Sequence, residues 1–466
     1  MLGLFGTLNL GARSLSVQQE GTSVAGQNLA NVNNPAYARQ QLVIQAATPL
    51  QTPIGQEGTG VIAVSISQVR SALLDNQIQS EASVSGSLDA QQQALQNAET
   101  NLGEQIQSTS SDTSPAGLTA QLSNLFNSLQ SLSANPGSLS QRQAVVQSAQ
   151  QLSNQFNQVS SQLSGVQAGL NTSIQNDVTA GNQDLTDIAA LNQQIIQAQA
   201  SGGTANDLID ARQQKIEDLA GKVDLTTSAQ SNGGVNISIG GVTMVSGQSA
   251  VDSLQTYDAG GGQLLIKAQT AGTPLTLTGG SIQGKIDVRD GALATLQGSV
   301  NSLASQLITQ VNNVYSAGYD LNGNTGAIFF TGTDASNIGV NSALANDPSQ
   351  FQAAGVAGAG GDNTVALALA QLANNKVSGL NNQTFSQNWA QTVGNLGGAL
   401  SSVNDQVANS ASVTQMLASQ RDSVSGVSID EEMTNLMQFQ KAYEASAQLI
   451  TTINQMLQTV VSMKTT

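Results

Sequence analysis

Cysteine and histidine are both absent from the 466 residues of this chain. Without thiols it can form neither disulfides nor thiolate metal sites, and without imidazole it can form neither histidine metal sites nor Ser-His-Asp or Cys-His catalytic groups. The main catalytic designs left are carboxylate pairs, lysine chemistry and oxygen-ligand metal sites. The cysteine count does not by itself assign a compartment, because a reduced cytosolic protein can also lack cysteine.

Charged and aromatic residues are scarce as well. Charged residues make up 9% of the chain and aromatics 3%, and 30 acidic against 14 basic residues give a formal net charge of −16. Such a balance argues against nucleic acid or an anionic membrane as a partner. No apolar run approaches the length of a membrane span, and Met1 to Leu15 lacks the basic start of a cleavable signal.

The last stretch of the chain, Ile429 to Met463, is a predicted helix with a heptad seam. Steps of three, four or seven residues separate its apolar positions, and the single step of seven passes over Ser446. The seam consists of Leu436, Phe439, Tyr443, Ile450, Ile453, Leu457 and Val460. A second apolar line consists of Met433, Met437, Leu449, Met456 and Met463. Two apolar lines require neighbours on two sides, so we expect this helix to lie in a bundle or a polymer wall.

Three carboxylates open that helix. Ser428 and Glu431 have the spacing of a capping box, and Asp430, Glu431 and Glu432 place negative charge at the positive end of the helix dipole. A catalytic pair or a cation site is the alternative interpretation. Helix-start chemistry accounts for all three residues and is the prediction we adopt.

The first thirty residues form a second predicted helix, with apolar positions that include Leu8, Leu15 and Leu29. Small residues are frequent along it, and glycine is a poor helix former, so this helix needs a partner. Small residues also permit close helix approach. We therefore predict that the N-terminal helix pairs with the C-terminal helix.

A helix stop follows, because Pro35 forces Asn34 out of the helical region. The stretch contains Asn28, Asn31, Pro35, Tyr37 and Arg39. It resembles the signature of the flagellar axial family of rod, hook and hook-associated proteins, in which a small-residue helix precedes Asn-x-x-Asn and Thr-Pro-Gly-Tyr-x-Arg. The chain departs from that signature at Asn34 and Ala36.

Three internal strings resemble the hook-associated branch of the family: Asn206 to Arg212, Gly318 to Phe330, and Val424 to Met433. From the residues alone, the first is a helix cap followed by an ion pair between helices. The second has Asp320, Asn322 and Asn324 where a calcium loop places ligands, but Thr325 and Thr331 stand where that loop needs Gly and Glu. We therefore predict a turn and no metal site there.

Changes in residue periodicity divide the chain into four predicted parts. The fold class is mainly α with a β insert: paired terminal coiled-coil helices, an elongated helical bundle and a small antiparallel β unit. The parts are a terminal coiled-coil domain (1–45 plus 425–466), a helical rod domain (46–225 plus 289–318 plus 386–424), the small β unit (226–288) and a short irregular outer segment (319–385). We expect the terminal domain to be disordered in the monomer and folded in a polymer.

The resemblance implies a structural part of the bacterial flagellum, with no enzymatic activity and no cofactor. It implies the first hook–filament junction protein: a self-associated ring at the hook tip that contacts hook protein and the second junction protein and enables filament growth. It also implies passage through the type III export apparatus without a cleaved signal, and a cytoplasmic chaperone (FlgN) on the C-terminal helix. The site residues are the assembly positions named above, from Leu8 to Val460.

Two alternatives stay open at this point. One is a different axial part, namely a hook protein, a rod protein or the second junction protein. The other is an axial scaffold that carries an enzymatic or carbohydrate-binding insert in the β unit, whose charged residues show no clustered pair. Those residues are Asp252, Asp258, Lys267, Lys285 and Asp287.

Overall fold

The computed structural model describes residues 3–53, 55–103 and 117–463. The extreme ends of the predicted terminal domain and residues 104–116 of the predicted rod domain lie outside the described residues. Within those ranges the fold is mainly helical with small antiparallel sheets, so the predicted fold class is confirmed. None of the described helices has both the length and the apolarity needed to cross a membrane.

The described residues form eleven α-helices, several of them far longer than an ordinary globular helix. They are α1 (Leu4–Ala30), α2 (Ala72–Leu102), α3 (Gly117–Ala134), α4 (Leu139–Ala200), α5 (Asn206–Ala220), α6 (Gly280–Val288), α7 (Ala294–Tyr315), α8 (Ser342–Asn346), α9 (Thr364–Gln371), α10 (Phe385–Ser425) and α11 (Ile429–Met463).

Twelve short strands of the described ranges pair only antiparallel. They are β1 (Gln40–Ala46), β2 (Leu50–Thr52), β3 (Gly55–Glu57), β4 (Val61–Gln68), β5 (Thr226–Ala229), β6 (Val235–Ile239), β7 (Val242–Ser246), β8 (Ser249–Ala250), β9 (Leu254–Asp258), β10 (Leu264–Ala268), β11 (Phe330–Thr331) and β12 (Gly339–Val340). β1 pairs with β4, β2 with β3, β9 with β10 and β11 with β12, and β5 to β8 form one sheet in sequence order.

Helix α4 is the longest helix of the body, the name used here for the two hydrophobic cores formed between α2 and α10. Its 62 residues span about 90 Å, and Gly165, Gly169 and Gly181 do not interrupt it. Ser138 caps its start by accepting a hydrogen bond from the backbone N–H of Gln141. The N-terminal half of α4 lies in one hydrophobic core, with α2, α3, α7, α9 and α10. Its C-terminal half lies in a second core with α5, α6 and the strands β6, β7, β9 and β10.

The two cores meet at Arg289, whose side chain is fully buried. A five-residue π-helical turn, Arg289–Leu293, joins α6 to α7. Arg289 Nη1 donates to Asn171 Oδ1 of α4 (2.8 Å) and to the Leu264 carbonyl of β10 (2.7 Å), while its other nitrogens pair with Asp290. A buried cation with this set of acceptors ties the β strands to the helical body. Residues 280–288, predicted as the end of the β unit, are helical as α6.

The segment 319–385 differs from the prediction of an irregular outer segment. Phe329, Phe330 and Phe351 are buried in the larger core, and the rings of Phe329 and Phe351 both lie against Tyr315 of α7, with centroids 5.3 and 5.2 Å away. Buried Arg142 of α4 also donates to the Phe351 carbonyl. Aromatic side chains bury large apolar areas, which is why this stretch joins the core although its Gly/Ala/Asn composition suggests a loop.

Candidate assembly site: the terminal helix pair and its joint with the body

Helices α1 and α11 pack against each other in antiparallel orientation. Ser14 Oγ lies 2.9 Å from Ser446 Oγ, and Asn28 Nδ2 donates to Glu432 Oε2 at 3.0 Å. Between them the backbone of Gly21 lies so close to the Phe439 ring that an added Cβ would stand 2.5 Å from it. Each step of seven residues along α1 is therefore matched by a step of seven back along α11, which is an antiparallel heptad register.

The α1 side of this interface is made of small residues. Gly11, Gly21 and Ala25 are buried, and a Cβ on Gly11 would lie 2.9 Å from Ile450 Cγ1. The predicted positions Leu8, Leu15 and Leu29 are only half-buried, and Val17 and Val24 are the large residues of α1 that are buried. The small residues that suggested close approach are thus themselves the contact face.

On the α11 side, the predicted seam is partly brought against α1. Ile453 is buried, and Leu436, Phe439, Ile450 and Leu457 are half-buried. Tyr443 and Val460 are 38% and 55% exposed. Ser446, which the apolar step of seven passed over, is a buried seam residue. A search for apolar residues alone could not find it, whereas its heptad position could.

The end of α1, residues 31–40 and the starts of α5 and α11 meet in one polar contact region, called the joint below. Asn28 lies at its centre. Its amide nitrogen also donates to the Gln40 carbonyl (2.9 Å), and its Oδ1 accepts from the Tyr37 hydroxyl (2.9 Å) and from the Gln40 backbone N–H (3.0 Å). Asn28 is 1% exposed, so these bonds satisfy a buried amide completely. Asn31 donates to the Gln27 carbonyl at the helix end, and with Pro35 it lines an open polar cavity of about 520 Å³ beside the end of α10.

Arg39 connects this loop to the start of α11. Its guanidinium contacts Glu432 Oε1 through Nε (2.9 Å) and Nη2 (2.8 Å), and Glu431 Oε2 through Nη1 (2.8 Å). Its backbone N–H donates to the Ser425 carbonyl at the end of α10 (2.8 Å). The predicted helix-start position of Glu431 and Glu432 is observed, and the Glu431 N–H faces Ser428 Oγ, but both carboxylates also bind Arg39.

Helix α5 supplies the body side of the joint. Asp207 accepts from Gln27 Nε2 (3.0 Å) and Gln40 Nε2 (2.8 Å), and Asn206 donates to the Ile66 carbonyl of β4 (3.0 Å). Asp210 accepts from the Ala38 N–H (3.2 Å) and pairs with Arg70 (2.7 Å). A cap and a helix–helix ion pair are predicted for the Asn206–Arg212 string, but Asp210 pairs with Arg70, which precedes α2. Asn206 makes no side-chain cap, and Arg212 binds Asn192 and the Gly233 carbonyl.

Burial dominates the electrostatics of the joint. It raises the pKa of Asp210 to about 6, against the N–H of Ala38 and the charge of Arg70, which lower it. Burial also lowers the pKa of Arg212 to about 10, with a smaller contribution from Arg70. The pKa of the Tyr37 hydroxyl is raised, first by burial and then by the charges of Asp207, Asp210 and Glu432. In each of these groups, loss of hydration on burial is the main cause of the pKa shift, and the neighbouring charges and hydrogen bonds modify it.

The polar side chains described here bind one another through hydrogen bonds and ion pairs. Within the described ranges, no three acidic side chains come together in a group that could hold a metal ion. Asp320 is buried and closed on its own loop: Oδ1 accepts from the backbone N–H groups of Asn322 and Asn324, and Oδ2 from the Asn324 side chain. The described loop is thus a hydrogen-bonded turn, as the mismatched calcium pattern predicts.

Helix α11 also exposes many apolar side chains to solvent. Its exposed large apolar side chains are 38–74% accessible and include the whole second apolar line of the sequence. They are Ile429, Met433, Met437, Tyr443, Leu449, Met456, Val460, Val461 and Met463. An apolar surface of this extent on one helix is characteristic of an interaction surface.

Comparison with known proteins agrees with this architecture. Residues 103–330 match the family model of the flagellar hook-associated protein FlgK helical domain, and residues 414–463 match that of the flagellar basal body rod FlgEFG protein C-terminal. The chain is 27% identical over 511 residues to flagellar hook-associated protein 1 of Bacillus subtilis, covering 99% of both chains, and 23% identical over 552 residues to the Escherichia coli protein of that name, covering 98% and 99%.

A solved structure, the flagellar hook junction protein FlgK from Burkholderia pseudomallei, has a similar fold, with a TM-score of 0.64 at 18% identity over 75% of this chain and 100% of that one. Paired ends, a helical body and a C-terminal segment of the rod type define a flagellar axial protein, a structural component of the flagellum. The chain belongs to the FlgK family of flagellar hook-associated proteins.

Proposed function

We propose that this chain is the first of the two junction proteins between hook and filament. It self-associates into a ring at the hook tip, contacts hook protein on one side, and receives the second junction protein, after which the filament grows. The printed names of its relatives support this position in the flagellum, since they are hook-associated protein 1 and a hook junction protein.

The observation that carries the proposal is the exposed apolar face of α11, beside the seam with which α11 packs on α1. A two-helix pair buries one seam only, so its outer apolar residues remain in water unless neighbours cover them. Packing of many copies side by side provides that cover. Beyond the joint, the pair therefore orders fully only in the polymer, which makes assembly and folding of the termini one event.

The same face explains how the chain is handled before assembly. It passes unfolded and uncleaved through the type III export apparatus to the flagellum outside the cell, and the chaperone FlgN covers the C-terminal helix in the cytoplasm. The absence of cysteine supports this route, because no disulfide can trap a partly folded chain.

The chain carries no catalytic insert in this proposal. Asp252 accepts three backbone N–H bonds, from Ser253, Thr270 and Ala271, and Lys285 pairs with Asp177. Lys267 stands 5.9 Å from the ring centre of Tyr257. These charges stabilise turns and contacts in and around the β strands. Hydrolysis of peptidoglycan or protein by the purified chain would contradict a purely structural role.

The test is a strain of the source bacterium that lacks this gene, viewed by electron microscopy with flagellin assayed in the medium. We expect hooks without filaments and flagellin lost to the medium, both reversed by the intact gene. A matched control gene that ends before residue 429 should not restore filaments, because it lacks α11. Normal filaments in the deletion strain would refute the proposal, and cells without hooks would identify a rod or hook part instead.

A further inference from the structure

Three heptad-spaced layers of the α1–α11 interface hold different pairs of residues, and no two of them are alike. The layer next to the body joins the buried amide of Asn28 to the buried carboxylate of Glu432. Seven residues further out, the Phe439 ring packs on the bare backbone of Gly21. Seven residues beyond that, the hydroxyls of Ser14 and Ser446 meet at 2.9 Å.

Side-chain size alternates between these layers in a complementary way. Phe439 is large and its partner Gly21 has no side chain, whereas Ser14 and Ser446 are both small. A slip of one heptad, which is about 10 Å along the helix, would place Phe439 opposite Ser14 or Asn28. The ring would then meet a Cβ where it now meets none, and the layer that receives Ser446 opposite Gly21 would be left with a gap.

We propose that the residues of two layers, Gly21 with Phe439 and Ser14 with Ser446, determine the specificity of the terminal helix pair. Their matched sizes select a single antiparallel register. Apolar heptads alone do not distinguish one register from the next, because every layer then offers the same contact. Polar and size-matched layers remove that degeneracy. The inference deepens the proposed function, since a polymer wall presents each α11 with many α1 helices in many possible alignments.

Engineered cysteine pairs can report the register, because the natural chain has no cysteine. A Cβ on Gly11 would lie 2.9 Å from Ile450 Cγ1 and 3.8 Å from Leu449 Cδ2. The register set by Ser14 with Ser446 and Gly21 with Phe439 aligns Ala25 with Asn435. The pair Ala25→Cys with Asn435→Cys therefore reports the native register. The pair Ala25→Cys with Ala442→Cys, one heptad away, reports the slipped register and is the matched control.

The test variants exchange residues between the two layers within each helix, so the amino-acid composition of each helix does not change. Phe439→Ser with Ser446→Phe moves the ring opposite Ser14, and Ser14→Gly with Gly21→Ser moves the open backbone position by the same seven residues. Either exchange alone mismatches both layers. The two exchanges together restore a ring opposite glycine and serine opposite serine in the native register, so all four substitutions should compensate one another.

Disulfide formation is measured in isolated flagella on non-reducing gels. In the natural background we expect the native pair to crosslink and the slipped pair to crosslink at least about tenfold less. Each single exchange should reduce the native crosslink by about fivefold or more, as an overpacked layer would. The fourfold variant should return to within about twofold of the parent.

The inference is overturned if either exchange alone leaves the native crosslink unchanged, or if the fourfold variant is no better than the poorer exchange or is missing from flagella. Parent chains absent from isolated flagella would instead refute the proposed function. Failure of the inference is therefore seen in the exchange variants, and failure of the proposed function is seen in the parent chain.

Discussion

Replacing Phe351 with alanine tests whether the segment 319–385 shares the core of the helical body. The Phe351 side chain is fully buried, and its ring lies 5.2 Å from Tyr315 and 5.6 Å from Phe329, both in edge-to-face geometry. Truncation of a buried Phe costs about 3–5 kcal/mol, and its aromatic contacts place this site in the middle of that range. We expect Phe351→Ala to lower the free energy of unfolding by about 4 kcal/mol.

The assay is urea unfolding followed by the fluorescence of Trp389, the single tryptophan of the chain, which is 1% exposed in the same core. Val356 lies in the same segment but is 64% exposed, so Val356→Ala is the control and should change stability by less than about 0.5 kcal/mol. A loss below about 1 kcal/mol for Phe351→Ala, with an unchanged Trp389 transition, would refute the shared core. The segment would then fold apart from the body, as its composition suggests.

Three further predictions concern the packing and the joint. A Cβ on Gly86 of α2 would overlap the carbonyl oxygen of Gly221, so Gly86→Ala should destabilise the chain by at least about 2 kcal/mol in urea unfolding. In the control Gly165→Ala, the added Cβ meets nothing within 4 Å inside α4, and the substitution should stabilise the chain by about 0.5–1 kcal/mol. Equal effects of the two substitutions would contradict the packing. Burial raises the pKa of Asp210 from 3.8 to about 6, so its contribution to stability is full below pH 3.8 and is lost as the pH rises through 6. Asp210→Asn should remove about 3 kcal/mol of pH dependence between pH 4 and 7. The control Asp207→Asn, at an exposed neighbour, should retain most of that pH dependence, because the charge of Asp207 raises the pKa of Asp210 less than burial does. Tyr37→Phe deletes the hydroxyl that donates to Asn28, so it should cost about 1 kcal/mol and speed hydrogen exchange in residues 37–40; unchanged exchange would show that the bond is not formed.

Local sequence signals predicted the helices well because capping and periodicity are local properties. Ser138 caps α4 as its spacing from Gln141 suggests, and α11 spans Ile429–Met463, as its heptad pattern predicts. The small residues of α1 and their pairing with α11 were also within reach. Small side chains have a physical use, close helix approach, that requires no knowledge of the partner.

The joint was out of reach of such signals, since it assembles residues far apart in the chain. Arg39, Arg70, Asp210 and Glu432 come from four separate segments, and each alone resembles an ordinary cap or surface charge. Only their burial in one place turns them into mutual partners, because a buried charge must find its counter-charge or hydrogen bonds nearby. The predicted helix-start role of Glu431 and Glu432 shows how a sufficient local explanation can conceal a second one.

The amino-acid sequence by itself determined the class of this protein: a cysteine-free and histidine-free chain with long heptad helices, apolar terminal helices and the motifs of the flagellar axial family. These properties depend on residue type and spacing, which folding does not change. The tertiary structure decided which layers of α1 and α11 meet, that Ser446 belongs to the seam, and that 319–385 enters the core. Those outcomes depend on three-dimensional fit, where a missing Cβ or a buried ring matters only once its neighbour is in place.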